Sequence, residues 1–225
     1  MLRGTATLLL VAAGLLVAAC ADGDRQSSAS SSLPAGCEQV SKPPAKHRQL
    51  KRPAETAKPG ERLTATVYTS CGRFDIRLDA AGFPKTVNSF AYLARKGFYD
   101  DTIFHRIVPH FIVQGGDPLQ NGHGGPGYTV TEPPRPNTTY TKGTVAMAKT
   151  PVEPPGRSGS QFFVVTAANA GLPPNYAVLG KVSSGFDVVK RIGALGDPES
   201  GDAGTPLATV VIRRITVSHL VLTGS

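Results

Sequence analysis

The sequence predicts a mainly β protein, an antiparallel barrel or sandwich of about eight strands with two helices. Three observations carry this. The 225 residues include 25 glycines and 19 prolines, about a fifth of the chain against a usual ~12%, which suits short strands joined by many turns and argues against a helical bundle. Apolar residues alternate with polar ones where strands are expected, as in Phe74-Asp75-Ile76-Arg77-Leu78. Only two stretches have helical spacing, and no strand–helix–strand rhythm links them. With 40% hydrophobic and 18% charged residues, a packed core is feasible and wholesale disorder is excluded.

The chain opens with Met1-Leu-Arg3-Gly and an uncharged run from Ala6 to Ala19. That run is too short for a membrane-spanning helix, which needs ~18 or more apolar residues, and reads as a secretory signal. Val17-Ala18-Ala19-Cys20 resembles a bacterial lipobox, so residues 1–19 are assigned to a lipoprotein signal peptide and Cys20 to lipidation. Residues 20–62 have the composition of a disordered tether. Ser and Ala dominate from Ser27 to Ser32, and prolines follow at 34, 43, 44, 53 and 59. Six basic residues between Lys42 and Lys58 face one acid, Glu55, as expected of a solvated, self-repelling linker that also suits anionic headgroups. The expected location is the outer face of a bacterial cell membrane.

The folded domain is assigned to residues 63–225. Leu63–Ser70 and Phe74–Leu78 form a hairpin turned by Cys71-Gly72. Pro84 opens a helix with Val87, Phe90, Ala91 and Ala94 on one stripe and Gly97 as its stop. Ile103–Val108 and Phe111–Gln114 are strands divided by Pro109. Further strands are expected at Thr144–Ala148, Gln161–Thr166, Ala177–Val182 and Leu207–Leu222. A second helix runs from about Gly185 to Ile192, with Phe186, Val189 and Ile192 at helical spacing.

Several motifs are excluded by their context. Gly122-His-Gly124-Gly-Pro-Gly127 matches the glycine pattern of dinucleotide sites, but Pro133, Pro134 and Pro136 forbid the helix that pattern needs, so no cofactor is expected. Gly156-Arg-Ser158-Gly-Ser160 lacks the last glycine of a nucleophile elbow. The five histidines show no H-x-x-x-H pair, and nothing calls for a metal. Asn137-Thr-Thr139 has the form of a glycosylation sequon, idle in a bacterial lipoprotein. The net charge of +8 is scattered and the chain has no Trp, so a nucleic-acid partner is disfavoured.

Two stretches are informative. Phe104-His-Arg-Ile-Val-Pro-His-Phe-Ile-Val-Gln-Gly-Gly-Asp117 sets Arg106 among apolar strand residues with Gln114 a few positions on, and Ser160-Gln-Phe-Phe-Val-Val-Thr166 puts an amide beside two rings. Phe104–Asp117, Gly143-Thr-Val-Ala-Met-Ala148 and Gly159-Ser-Gln-Phe-Phe163, with Pro84–Phe90, Phe98-Tyr-Asp100 and Val178–Val182 fitting in the same order, resemble the cyclophilin family of peptidyl-prolyl cis-trans isomerases across roughly Leu63 to Leu222. The lipobox, the proline-rich tether and the pair Cys37/Cys71 look most like extracytoplasmic cyclophilins of actinobacteria.

The resemblance implies a closed eight-stranded antiparallel β-barrel capped by two α-helices, with the proline site on its outer surface. By position, Arg106 is the expected catalytic residue. Phe111, Ile112, Phe163 and Leu172 form the floor and walls for the prolyl ring, and Gln114 orients Arg106. Gln161 and the backbone around Ala148 and Lys149 hold the peptide, and Tyr176 stands where the family often has His. The expected partners are proline-containing polypeptides, acted on by a monomer. Cys37 and Cys71, outside the cytoplasm, are expected to form a disulfide. Two departures stand out: Gly171 replaces a tryptophan that contacts cyclosporin in the family, so weak drug binding is expected, and Lys149–Gly159 is longer and richer in proline than usual. The competing reading is a proline-peptide binding or holdase module with incidental turnover.

Overall fold

The computed structural model describes Met1 and residues 33–54 and 61–219. The signal peptide, the lipobox with Cys20, the Ser27–Ser32 run, and Glu55, Lys58 and Pro59 lie outside the described residues. Among the described residues no helix is long and apolar enough to cross a membrane.

Among the described residues, ten strands and two α-helices follow in chain order: β1 (Leu63–Thr69), β2 (Gly72–Leu78), α1 (Pro84–Arg95), β3 (Thr102–Val108), β4 (Ile112–Asp117), β5 (Val130–Thr131), β6 (Thr144–Met147), β7 (Arg157–Ser158), β8 (Phe162–Val165), β9 (Val178–Ser184), α2 (Phe186–Gly193) and β10 (Val211–His219). Eight of the strands close into an antiparallel barrel in the order β1-β10-β3-β4-β8-β6-β9-β2, while β5 and β7 form a separate two-stranded ribbon. The hairpin turns at Ser70-Cys71, one residue before the expected Cys71-Gly72, because Gly72 already pairs with Thr69 as the first residue of β2. Strand alternation then sorts the side chains. Val67, Phe74, Ile76, Ile107, Val113, Val145, Met147, Phe162, Val164 and Ile212 fill the barrel, all 2% exposed or less. Both helices bury their apolar stripes in that same core, α1 through Val87, Phe90 and Leu93 and α2 through Val188, Val189 and Ile192.

Pro84 occupies the first turn of α1, as its fixed φ favours. The cap is supplied from elsewhere: the Glu132 carboxylate accepts from the Thr86 amide at 2.8 Å and the Lys85 amide at 3.3 Å. The ribbon that leads into Glu132 and a 3₁₀ turn at Pro198–Ala203 are features the sequence reading missed. Both lie in proline- and glycine-rich stretches where no periodicity is visible.

The tether assignment needs correction for residues 33–54, since the compact unit begins at Leu33. This segment is an irregular strap laid along the barrel. Cys37 is disulfide-bonded to Cys71, and the Glu38 amide donates to the Ser70 carbonyl. The Lys46 and Leu50 amides donate to the Pro118 and Pro126 carbonyls, both at 2.8 Å. Lys46 also pairs with Asp101 at 2.8 Å, and Arg48 donates to the Gly97 carbonyl. Composition misjudged the strap because its anchoring is backbone hydrogen bonding, polar side-chain contacts and one covalent bond. The apolar side chains that add to it are few, chiefly Leu33, Cys37 and Leu50.

Candidate active site

The outer face of β3-β4-β8-β6 is set by the same alternation that fills the barrel. Arg106 faces Gln114, Val108 faces Ile112, Gln114 faces Phe163 and Ile112 faces Val165. On β6, Ala146 faces Phe163. These outward residues build a second apolar cluster, separate from the barrel core. Ile112, Tyr140, Ala146, Phe163 and Val165 are buried, and Phe111, Ala148, Leu172 and Tyr176 pack against them. The structure therefore gathers the predicted floor and wall residues Phe111, Ile112, Phe163 and Leu172, with Tyr176, into one patch. Phe163 and Tyr176 meet edge to face with centroids 5.4 Å apart, an arrangement that aromatic quadrupoles favour.

Arg106 is held at the edge of this patch. A register shift in β3 between Phe104 and Arg106 interrupts the ladder at His105. The guanidinium Nε donates to the Asp202 carbonyl at 2.9 Å and Nη1 donates to Gln114 Oε1 at 3.3 Å. Gln114 Nε2 in turn donates to Gln161 Oε1 at 3.1 Å. Gln161 Nε2 donates to the Gly122 and Gly124 carbonyls, each at 2.9 Å. So Arg106, Gln114 and Gln161 form one hydrogen-bonded chain, and the two glutamines bound a neighbouring cavity of about 440 Å³ along with Gly124, Lys149 and Glu153.

The proline-rich loop after Ala148 folds on itself beside that cavity. The Thr150 amide donates to the Glu153 carboxylate at 2.7 Å, and Lys149 Nζ donates to the Thr150 and Glu153 carbonyls at 2.9 Å each. Lys149 also stands 5.8 Å from the Tyr176 ring centroid. The Ala148 amide is engaged by the Gln161 carbonyl at 2.8 Å.

Sequence reasoning missed four participants. Tyr140 is buried under the patch; its hydroxyl donates to the Tyr176 carbonyl at 2.7 Å and accepts from the Tyr176 amide at 2.9 Å. Burial raises the Tyr140 hydroxyl pKa above its usual value. His105 lies behind Gln114, with ring nitrogen and amide nitrogen 3.5 Å apart, and burial lowers its pKa. The Asp202 carbonyl comes from the 3₁₀ turn, 96 residues from Arg106. The Gly122–Gly124 carbonyls belong to the glycine pattern set aside above. Only the last carried a signal in the sequence, a dense glycine run, and it named no partner.

Residues 64–217 match the family model described as cyclophilin type peptidyl-prolyl cis-trans isomerase/CLD. The chain is 37% identical over 175 residues to peptidyl-prolyl cis-trans isomerase B of Streptomyces anulatus, covering 70% of this chain and 97% of that protein. It is 37% identical over 153 residues to peptidyl-prolyl cis-trans isomerase-like 1 of Gibberella zeae, covering 66% of this chain and 91% of the relative. Among solved structures, a cyclophilin type peptidyl-prolyl cis-trans isomerase of Cryptosporidium parvum superposes with a TM-score of 0.62 at 28% identity, over 70% of this chain and 98% of that one. A second structure of that protein, in the presence of the dipeptide Ala-Pro, gives a TM-score of 0.61 at 28% identity, over 69% of this chain and 98% of that one.

Proposed function

Since the chain belongs to the cyclophilin-type peptidyl-prolyl cis-trans isomerases, we propose that Arg106 is its catalytic residue and that the outward apolar patch seats the prolyl ring. Rotation about the X–Pro bond must break amide resonance, a barrier of ~18–20 kcal/mol. No bond forms or breaks in the product, so catalysis means binding the twisted amide better than the planar one. As the amide twists, the prolyl nitrogen turns pyramidal and regains a lone pair. A fixed guanidinium then gains a hydrogen bond that the planar amide does not offer. Phe111, Ile112, Phe163 and Leu172 grip the ring and displace water, so the carbonyl side turns. A thousandfold acceleration requires ~4 kcal/mol, within reach of one such bond in a dry setting. These side chains suffice without a metal, and activity is expected to persist in a chelator.

The observation that carries this reading is Arg106 Nη1 tied to Gln114 at 3.3 Å on the rim of the apolar patch. The test is Arg106→Ala in the full chain. Turnover of an Ala-Pro peptide should fall by roughly a hundredfold with an unchanged circular dichroism spectrum, and near-wild-type turnover sinks the assignment. The same variant separates enzyme from holdase, because suppression of client aggregation should survive it.

We further propose an extracytoplasmic, lipid-anchored monomer that acts on proline-containing segments of exported or surface proteins, as in the actinobacterial lipoprotein cyclophilins it resembles. Two features support this reading: the Val17–Cys20 lipobox, and a disulfide between Cys37 and Cys71, which suits an oxidising compartment. Mass spectrometry of the N-terminal peptide from membrane fractions should find a diacylated Cys20; an unmodified Cys20 in the soluble fraction overturns it.

A further inference from the structure

We infer that Asp117 is a positioning residue for the isomerase reaction, holding Arg106 in place through the glycine loop and the two glutamines; this rests on Arg106 being the catalytic residue. Asp117 ends β4 with none of its surface exposed. A carboxylate so placed is costly unless hydrogen-bonded, and three backbone amides answer it. Oδ1 accepts from Leu119 at 2.8 Å, and Oδ2 accepts from Asn121 at 3.0 Å and Gly122 at 2.6 Å. Bonds from N–H donors to a charged acceptor are the strong kind, so the path of the loop is fixed at this point.

Gly122 is where the carboxylate and the active site meet. Its amide is bound by Asp117, while its own carbonyl accepts from Gln161 Nε2 at 2.9 Å. Two further details show that the loop is built around the carboxylate. Gly122 has φ +88°, a backbone region that side chains disfavour. At Gly124, a methyl group would overlap Asp117 Oδ1, so the loop closes over the acid only because that position has no side chain. The run Asp117–Gly122–Gln161–Gln114–Arg106 is thus continuous, with links of 2.6, 2.9, 3.1 and 3.3 Å. This gives the glycine pattern, unsuited to a dinucleotide, a task of its own. Without the charge the loop carbonyls drift, Gln161 loses its fixed acceptors, and Arg106 keeps only its bond to Asp202.

The experiment is a double-variant cycle on the full chain with an Ala-Pro peptide as substrate. Asp117→Asn should lower kcat/KM about tenfold, chiefly through kcat. In a Gln161→Ala background the same substitution should change it by less than about twofold, while lowering the thermal midpoint equally in both backgrounds. An equal factor in both backgrounds, or no loss in the first, overturns the inference. Arg106→Ala is the control: if it stays active, the site assignment fails; if it is inactive while the cycle is additive, only the Asp117 link fails. Where Asp117→Asn does not accumulate as folded protein, Gly124→Ala presses on the same carboxylate and takes its place in the cycle. In the wild type, the Gln161 side-chain amide protons should exchange slowly with solvent, and exchange as fast as a free amide also overturns the inference.

Discussion

Arg106 has two separate attachments, and each constrains a substitution differently. Nε is fixed to a main-chain oxygen and Nη1 to the Gln114 amide, which leaves the rest of the planar fork for the substrate. A lysine carries the charge but has no fork to divide between these duties. Arg106→Lys should therefore lose at least about tenfold in kcat/KM, more than a point-charge role allows, as peptide isomerisation kinetics will show. His105, next in the chain, gives a pH prediction. Burial is the main cause holding its imidazole below the ordinary 6.5, with Asp117 pulling the other way. The unfolded chain takes up a proton while the folded one is still neutral, so stability should fall as pH drops from 6.5 toward the folded value. Urea midpoints measured from about pH 7.5 to about pH 5 should decline, and decline less in His105→Gln; equal slopes would remove His105 as the cause. Gly171, exposed with open space around its Cα, offers no indole to cyclosporin. Inhibition at nanomolar drug would contradict the weak binding expected from that position.

At the scale of elements, two attachments made across long sequence distances govern stability. The N-terminus of α1 has no side-chain cap of its own, and Glu132 supplies one from 46 residues away. A carboxylate there satisfies orphan amides and opposes the positive end of the helix dipole. Glu132→Ala should cost about 1 kcal/mol in chemical denaturation, with turnover near wild type. The strap is fastened by the Cys37–Cys71 bond, which spans 34 residues. In the chain-entropy view, closing such a loop is worth about 3–4 kcal/mol. Cys37→Ser should lower unfolding free energy by about that much, and a loss below about 1 kcal/mol would mean that the strap docks without its clasp. The helices and most strands were legible in the sequence because periodicity reports one buried face, as Phe74, Ile76 and Leu78 do for β2. The strap and the ribbon were not, because proline-rich polar segments bond through main-chain groups that look alike at every residue.

For the whole molecule, the same distinction separates what was legible in the site from what was not. Side chains fixed by strand alternation, Arg106, Ile112, Gln114 and Phe163, share one outer face because each occupies an outward register position. Carbonyl partners drawn from Gly122, Gly124 and Asp202 depend on how distant loops close around that face, and no spacing encodes that. Tyr140 was hidden for a related reason: a lone tyrosine among threonines and prolines gives no period, yet it is fully buried.

Barrel closure sets Leu63 opposite His219 and Val67 opposite Ile215. A ribosome delivers the first of these strands long before the last, so β1 waits with one margin bare until its mate emerges. The ring is fastened by the part made latest, and such distant pairing is slow to form.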